Sequence, residues 1–431
     1  MRHPDAVTGH DWEPGDRSQL AVVTFSHAVQ HFYPAAWAIA YPFVVIAFHI
    51  SYGTLGIMLA IAGVAGGLLQ GAAGLFEEAS ARLLLGLQNL GLALATVLGA
   101  VAPGFLVFGA ARCFGSLSAW PQHPVGSTVL IRRFPRRRAM ALSWHVAGGS
   151  LGTAVMPLLA SVLIAAFGWR IGTGILAVPM ALGGLVVVLA LREPGRKAER
   201  AIAPRAGAEK SPTPPLAPGG PAAVSGLVGL RSLLRRRQVL GALAAGTIAA
   251  GGRGLGTLTT YIPAYLHSLH LSTIAVGEIF TVVVVGSIVG PIAAGHVADR
   301  IGRRLVLVSV YVLGAATIAG FVLVGSPLAG LAAVGFLVGV FAYAESPLLQ
   351  AVFSIAADGG SQQAAFGLYF AISYGVGSVW VAATGLIIDR WGFHVAFLVM
   401  AGSFVLAAII VACLGASPGP PRPTTRYSGP A

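Results

Sequence analysis

The ten residues Gly295–Arg304, GHVADRIGRR, decide how this chain is read. They gather one acid, three arginines and a histidine directly behind residues 272–295, an apolar run whose only charge is Glu278. As a helix, about 20 apolar residues are long enough to cross a ~30 Å hydrocarbon core. The charged stretch therefore marks where a membrane-crossing helix returns to water. Outward from it the same alternation fills all 431 residues, of which 56% are hydrophobic and 10% charged, with a mean hydropathy of +0.81. That composition belongs to an all-α, polytopic membrane protein.

Apolar runs predict twelve spans, near residues 20–47, 52–74, 83–101, 104–130, 139–167, 171–191, 238–266, 272–295, 305–324, 328–356, 362–388 and 392–414. The first twenty residues lack the apolar core and cleavage site of a signal peptide, so the first span is expected to be retained and the N-terminus cytoplasmic. Charge agrees. With both termini inside, only Arg170 and Arg390 of the 27 Lys and Arg fall outside, and only Arg112 and Arg253 fall within spans, which leaves 23 inside. The positive-inside rule is obeyed. The net charge of +13 is thus a topology signal, and the clusters Arg132–Arg138 and Arg231–Arg237 face a lipid bilayer rather than nucleic acid. Cys113 and Cys413 lie in separate spans and indicate neither a disulfide framework nor thiolate metal ligation.

Residues 192–237 are rich in Pro, Ala, Gly and charge and read as a cytoplasmic linker. It joins two six-helix halves, 20–191 and 238–415, with tails at 1–19 and 416–431. The halves repeat one another. At one constant offset Pro42 matches Pro263, FHIS at 48–51 matches LHLS at 269–272, Gly56 matches Gly277 and Gly74 matches Gly295. Further on, Gln122-His123-Pro124 lies opposite Glu345-Ser346-Pro347, and Phe167-Gly168-Trp169 opposite Trp391-Gly392-Phe393. Such duplication is the sequence form of a transporter that rocks one bundle against the other around a midplane site.

Within GHVADRIGRR, Asp299 can accept from Arg303 four residues on and meet a neighbouring helix N-terminus, while Gly295 would let that neighbour approach closely. The pattern Gly295, Asp299, Arg300, Gly302, Arg303, Arg304 resembles the cytoplasmic gate signature of the major facilitator superfamily. In the first half Gly74, Glu78 and Arg82 match it, but Ala79, Ala81 and Leu83 replace the family's residues. A narrower resemblance, to the fosmidomycin-resistance type of permease, rests on His27 in FSHAVQHFYPAAWAIAYP, on His123-Pro124, and on Gly148, Gly149, Leu151 and Gly152. The acid that group places near His31 is absent here. The superfamily resemblance implies that spans one, four, seven and ten line a central cavity.

A charge at the centre of a spanning helix costs about 2.5–3.5 kcal/mol on insertion scales and is seldom kept without use. The four lining spans hold His27, Gln30 and His31; Arg112, Gln122 and His123; Arg253; and Glu345. Arg112, Ser116, Ala119 and His123 fall on one helical face, as do Arg253, Thr257, Thr260 and Tyr261. Two arginines in one low-dielectric cavity need an anion or a carboxylate such as Glu345 between them. The expected substrate-binding set is therefore Arg112, Arg253, His31, Gln30, His123 and Tyr261. Glu345, His27 and His123 are the proton-coupling candidates, because a buried carboxyl with a changeable partner, or an imidazole, can load and release a proton. No phosphate-cradling loop, metal-ligand spacing or Ser-His-Asp arrangement is legible, so no cofactor, no metal and no enzyme is expected. The expected activity is proton-coupled export of a small organic anion or drug by a monomer in a bacterial inner membrane. Proton-coupled uptake is the alternative, and a non-transporting receptor or assembly protein the alternative of another class.

Overall fold

The computed structural model describes residues 15–71, 79–134, 137–192, 234–356, 368–369 and 371–414. Gly74, Glu78, most of the expected linker and most of both tails lie outside the described residues. Among the described residues the backbone is helical almost throughout and forms no strand.

The helices make twelve spans in two pseudo-symmetric halves of six. Spans one to three are Asp16–Ala47, Tyr52–Gly71 and Ala81–Ala100. Span four is assembled from Phe105–Ser118, a π-helical turn Gln122–Gly126 and Ser127–Arg133, because Pro121 and Pro124 cannot donate to the helical ladder. Spans five and six run through Arg138–Ile175 and Ala177–Ala190, turning at Gly168 (φ 76°). Span seven is Arg237–Ala249 and Thr259–Ser268 around a break. Spans eight and nine are Thr273–Ile301 and Arg303–Leu323, and span ten is Leu328–Ala342 with Glu345–Ala356. Spans eleven and twelve share Val379–Cys413, turning at Gly392 (φ 79°). Leu106, 87% exposed, and Leu189, 74% exposed, belong to the apolar outer surface that lipid requires.

The repeat is visible in backbone detail. Gly168 and Gly392 make the same left-handed turn, and His49 (φ 50°) and His270 (φ 59°) both end a helix in the left-handed region. It also recurs in how the halves touch. A Cβ at Gly56 would collide with the Val381 carbonyl and the Tyr261 hydroxyl, and one at Gly277 with the Ser161 hydroxyl and the Pro157 carbonyl. The step that maps Phe167 onto Trp391 also maps Pro157 onto Val381, so these are one small-residue contact made twice.

At this end Asp389 clamps the halves. Its carboxylate accepts from the backbone N–H of Tyr52 (2.9 Å) and Gly53 (2.8 Å), the orphan donors at the start of span two. Removing both bonds with Asp389→Ala should shift the balance away from this closed end by at least about 1.5–3 kcal/mol, the range for one hydrogen bond to a charged group. Spin labels on cysteines introduced at Ser51 and Arg390 should then report a new, longer distance component; an unchanged distribution would remove the clamp assignment.

At the opposite end the charged gate residues of span eight are exposed. Asp299 is 75% exposed and lies 3.9 Å from Arg303, itself 45% exposed, a pair worth at most about 1 kcal/mol. Among the described residues nothing lies within 4 Å of a Cβ at Gly295, so none of them makes the close approach expected there. Arg304 caps span twelve, donating from Nε to the Val411 carbonyl (3.0 Å) and from a terminal nitrogen to that of Ala412.

Candidate functional site

Arg112 is 7% exposed and enclosed by span one. Its guanidinium carbon lies 4.2 Å from the Tyr33 ring centroid, 5.3 Å from Trp37 and 5.7 Å from Tyr41. Those aromatics recur every fourth residue on one helical face. Gly115 makes room, since a Cβ there would strike the Tyr33 ring and hydroxyl. One terminal nitrogen donates to the Tyr41 hydroxyl at 2.8 Å. Nε and the other terminal nitrogen have no hydrogen-bond partner, and neither do the buried Tyr33 hydroxyl and Trp37 Nε1. Nε, Nη1, the Tyr33 hydroxyl and Trp37 Nε1 are buried donors without an acceptor, gathered around a cation that no described carboxylate pairs. Such an arrangement is complementary to an anion.

Arg253 has the opposite character. The run Gly251-Gly252-Arg253-Gly254-Leu255-Gly256 breaks span seven, with Gly256 at φ 121° and Arg253 extended. The expected stripe from Arg253 through Thr257 to Tyr261 is therefore not one helical face: the glycines interrupt it. Arg253 donates from Nε to Glu345 (2.5 Å), from one terminal nitrogen to the Ser373 carbonyl (2.7 Å) and from the other to Gly246 (2.8 Å). Thr257 donates to the Ala250 carbonyl (2.9 Å). Arg253 and Thr257 thus satisfy carbonyls that the break releases. Glu345 is fully buried at the start of Glu345–Ala356, where a helix N-terminus favours an anion, and the Tyr311 hydroxyl donates to its other oxygen at 3.3 Å.

A third cluster lies between spans one, four and five. His27 Nδ1 lies 2.6 Å from the His145 carbonyl, His31 Nδ1 2.8 Å from the Thr153 hydroxyl, and the two Nε2 atoms face each other at 3.1 Å. His123 stands perpendicular to both rings, its centroid 5.1 Å from His27 and 6.3 Å from His31. His145 stacks on His27 at 4.1 Å. Gly149 makes the approach possible, because a Cβ there would strike the His27 ring. The neighbouring Gln122 is fixed by a buried network in which Ser26 and Gln88 donate to its carbonyl oxygen (2.9 and 2.8 Å) and Asn89 donates to Ser26 (3.0 Å). Three nitrogens, one each from His27, His31 and His123, lie within 4.8 Å of one another. Metal-ligand spacing is not legible in the sequence because the third imidazole comes from another span.

The remaining candidates are dispersed. Tyr261 is fully buried and donates to the Val381 carbonyl at 2.6 Å, within the closed end. Gln30 is half-buried with its carbonyl oxygen unpartnered. Arg82 stands in the first turn of span three.

The sequence profile described as Major Facilitator Superfamily matches residues 23–381 and 254–430. The chain belongs to the major facilitator superfamily. No curated protein matches it. Among solved structures it is similar to a bacterial homologue of the human lysosomal transporter Spinster, inward-facing and unoccupied, with 15% identity, TM-score 0.68, and coverage of 93% of this chain and 95% of that one. It is also similar to the nucleoside transporter NupG, with 13% identity, TM-score 0.71, and coverage of 91% and 98%. At these identities the likeness is one of fold. As a major facilitator protein the chain is a multi-pass membrane protein of a transporter family, which points away from an enzyme.

Several residues that shape this facilitator's candidate site escape sequence reasoning. Tyr33, Trp37 and Tyr41 carried a signal, their four-residue spacing opposite a buried arginine. Tyr311 carried none, and Asp389 read only as half of an outer-surface pair with Arg390, since each acts on a segment distant in the chain.

Proposed function

We propose that this facilitator is a proton-coupled exporter of a small organic anion, of the fosmidomycin-resistance type, with both termini cytoplasmic. The observation that carries the anion reading is the Arg112 cage, where Nε and Nη1, with the Tyr33 hydroxyl and Trp37 Nε1, are buried donors lacking any acceptor. A carboxylate or phosphonate supplies the missing charge and several lone pairs at once. Coupling is assigned to the Arg253–Glu345 pair. Both residues lie in the second half, so coupling runs through a rearrangement inside that half, at the span-seven break beside Arg253, which changes the partners of Glu345 as the halves rock.

The test is flux in proteoliposomes under imposed pH gradients, screened over small carboxylates and phosphonates with neutral and cationic controls. Anion movement against its own gradient, driven by protons and collapsed by an uncoupler, is the expected result. Movement of cationic or neutral compounds alone would refute the anion reading.

A further inference from the structure

We infer that His27, His31 and His123 form a binding site for a late first-row divalent cation such as Zn2+, separate from the Arg112 cage and from Glu345. His27 Nδ1 lies 2.6 Å from the His145 carbonyl, which only accepts, so Nδ1 carries the proton. The Thr153 hydroxyl lies 3.0 Å from the Gly149 carbonyl and 2.8 Å from His31 Nδ1; when it donates to the carbonyl it accepts from His31, which puts that ring's proton on Nδ1, the tautomer that metal binding requires. In each neutral ring the lone pair is then left on Nε2. The two Nε2 atoms are 3.1 Å apart and face each other. A cation ligated by both nitrogens suits that separation, as does a single ring proton shared between them.

The surroundings suit a metal. A metal-bound imidazole characteristically donates its other N–H to a carbonyl or hydroxyl, which fixes the ring, and both His27 and His31 are placed to do so. Histidines four residues apart on a helix present two ligands on one face. His123 supplies the third from the π-helical turn of span four. Zn–N bonds of about 2.0–2.1 Å place tetrahedral ligand nitrogens about 3.3 Å apart, so the His27–His31 pair is already set and a modest swing of His123 completes the face. His123 is the most exposed of the three and His27 the least, so the open fourth position falls on the His123 side. Three imidazoles without carboxylate select Zn2+, Cu2+, Ni2+ or Co2+ over the oxygen-seeking Ca2+ and Mg2+. With three neutral ligands the ion keeps its full charge, and water or an anion takes the fourth position.

The experiment uses the full chain purified without a polyhistidine tag, stripped with chelator and titrated with Zn2+ by calorimetry. Co2+ then serves as an optical probe of tetrahedral nitrogen coordination. One Zn2+ per chain and a tetrahedral Co2+ spectrum are expected. His123→Ala should weaken binding roughly 100-fold, and Thr153→Val, which removes the hydroxyl that holds His31 Nδ1, about 10-fold or more. Failure of the monodisperse parent to bind Zn2+ overturns the site, as it must if only a shared proton fills the gap. Equal binding by the parent and His123→Ala overturns it as well, placing the ion elsewhere, for instance at His3 and His10.

Discussion

Arg253→Ala is expected to abolish the folded protein rather than selectively abolish substrate binding. The substitution leaves the fully buried Glu345 without its cation and strips the Gly246 and Ser373 carbonyls of their donor. Removing one partner of a buried ion pair costs about 3–5 kcal/mol, a large share of a stability of about 5–15 kcal/mol. Fluorescence-detected size exclusion and thermal melting in detergent should show loss of the monodisperse peak and a lowered Tm. A double variant, Arg253→Met with Glu345→Leu, should recover a substantial part of that loss, because it removes both charges together. If Arg253→Ala instead folds normally and loses only anion binding, Arg253 belongs to the substrate site as its sequence position suggested. Glu345→Gln separates structure from coupling. It keeps an acceptor for Arg253 but cannot change protonation, so it should exchange substrate down a gradient and lose pH-driven accumulation. Retention of pH-driven accumulation would move coupling elsewhere.

Arg112 should behave in the opposite way. Its guanidinium is buried with two nitrogens unbonded and no described carboxylate in partnership. Without substrate it is a desolvated cation that costs stability. Arg112→Met should therefore be at least as stable as the parent and should lose anion binding by roughly 100-fold or more, since truncating one side of a desolvated charge pair costs about 2–5 kcal/mol. Arg112→Lys should fall between, keeping charge but losing the planar fork. Ligand-induced shifts in Tm, read beside direct binding, check both halves of the expectation. A destabilised Arg112→Met with unchanged binding would assign Arg112 to packing against the aromatic face of span one.

The contrast between the two arginines shows what a sequence can and cannot rank. Both stood out for the same reason, a charge in a lining span. Only the partners differ, and these come from residues far along the chain: Glu345, Ser373 and Tyr311 around one pair, Tyr33 and Trp37 around the other. The same limit applied to GHVADRIGRR. Its composition placed it at a helix end, but whether it latches depends on which end of the molecule is closed. In this structure Asp389 holds the closed end through the start of span two, a partner its sequence position does not indicate.

What the sequence determined by itself was everything local in physics. Apolar run length set the twelve spans, the repeat of Gly168 in Gly392 and of His49 in His270 set two like halves, and residues 272–304 set how a span ends in water. What the tertiary structure decided was every pairing across spans. The glycines of span seven turned an expected helical stripe into a break that Arg253 repairs, and the π-helical turn at Gln122–Gly126 carried His123 to His27 and His31. The physical reason is range. Insertion and helix formation are decided within some twenty residues, whereas burial, ion pairing and convergent imidazoles depend on distances between segments that only packing fixes.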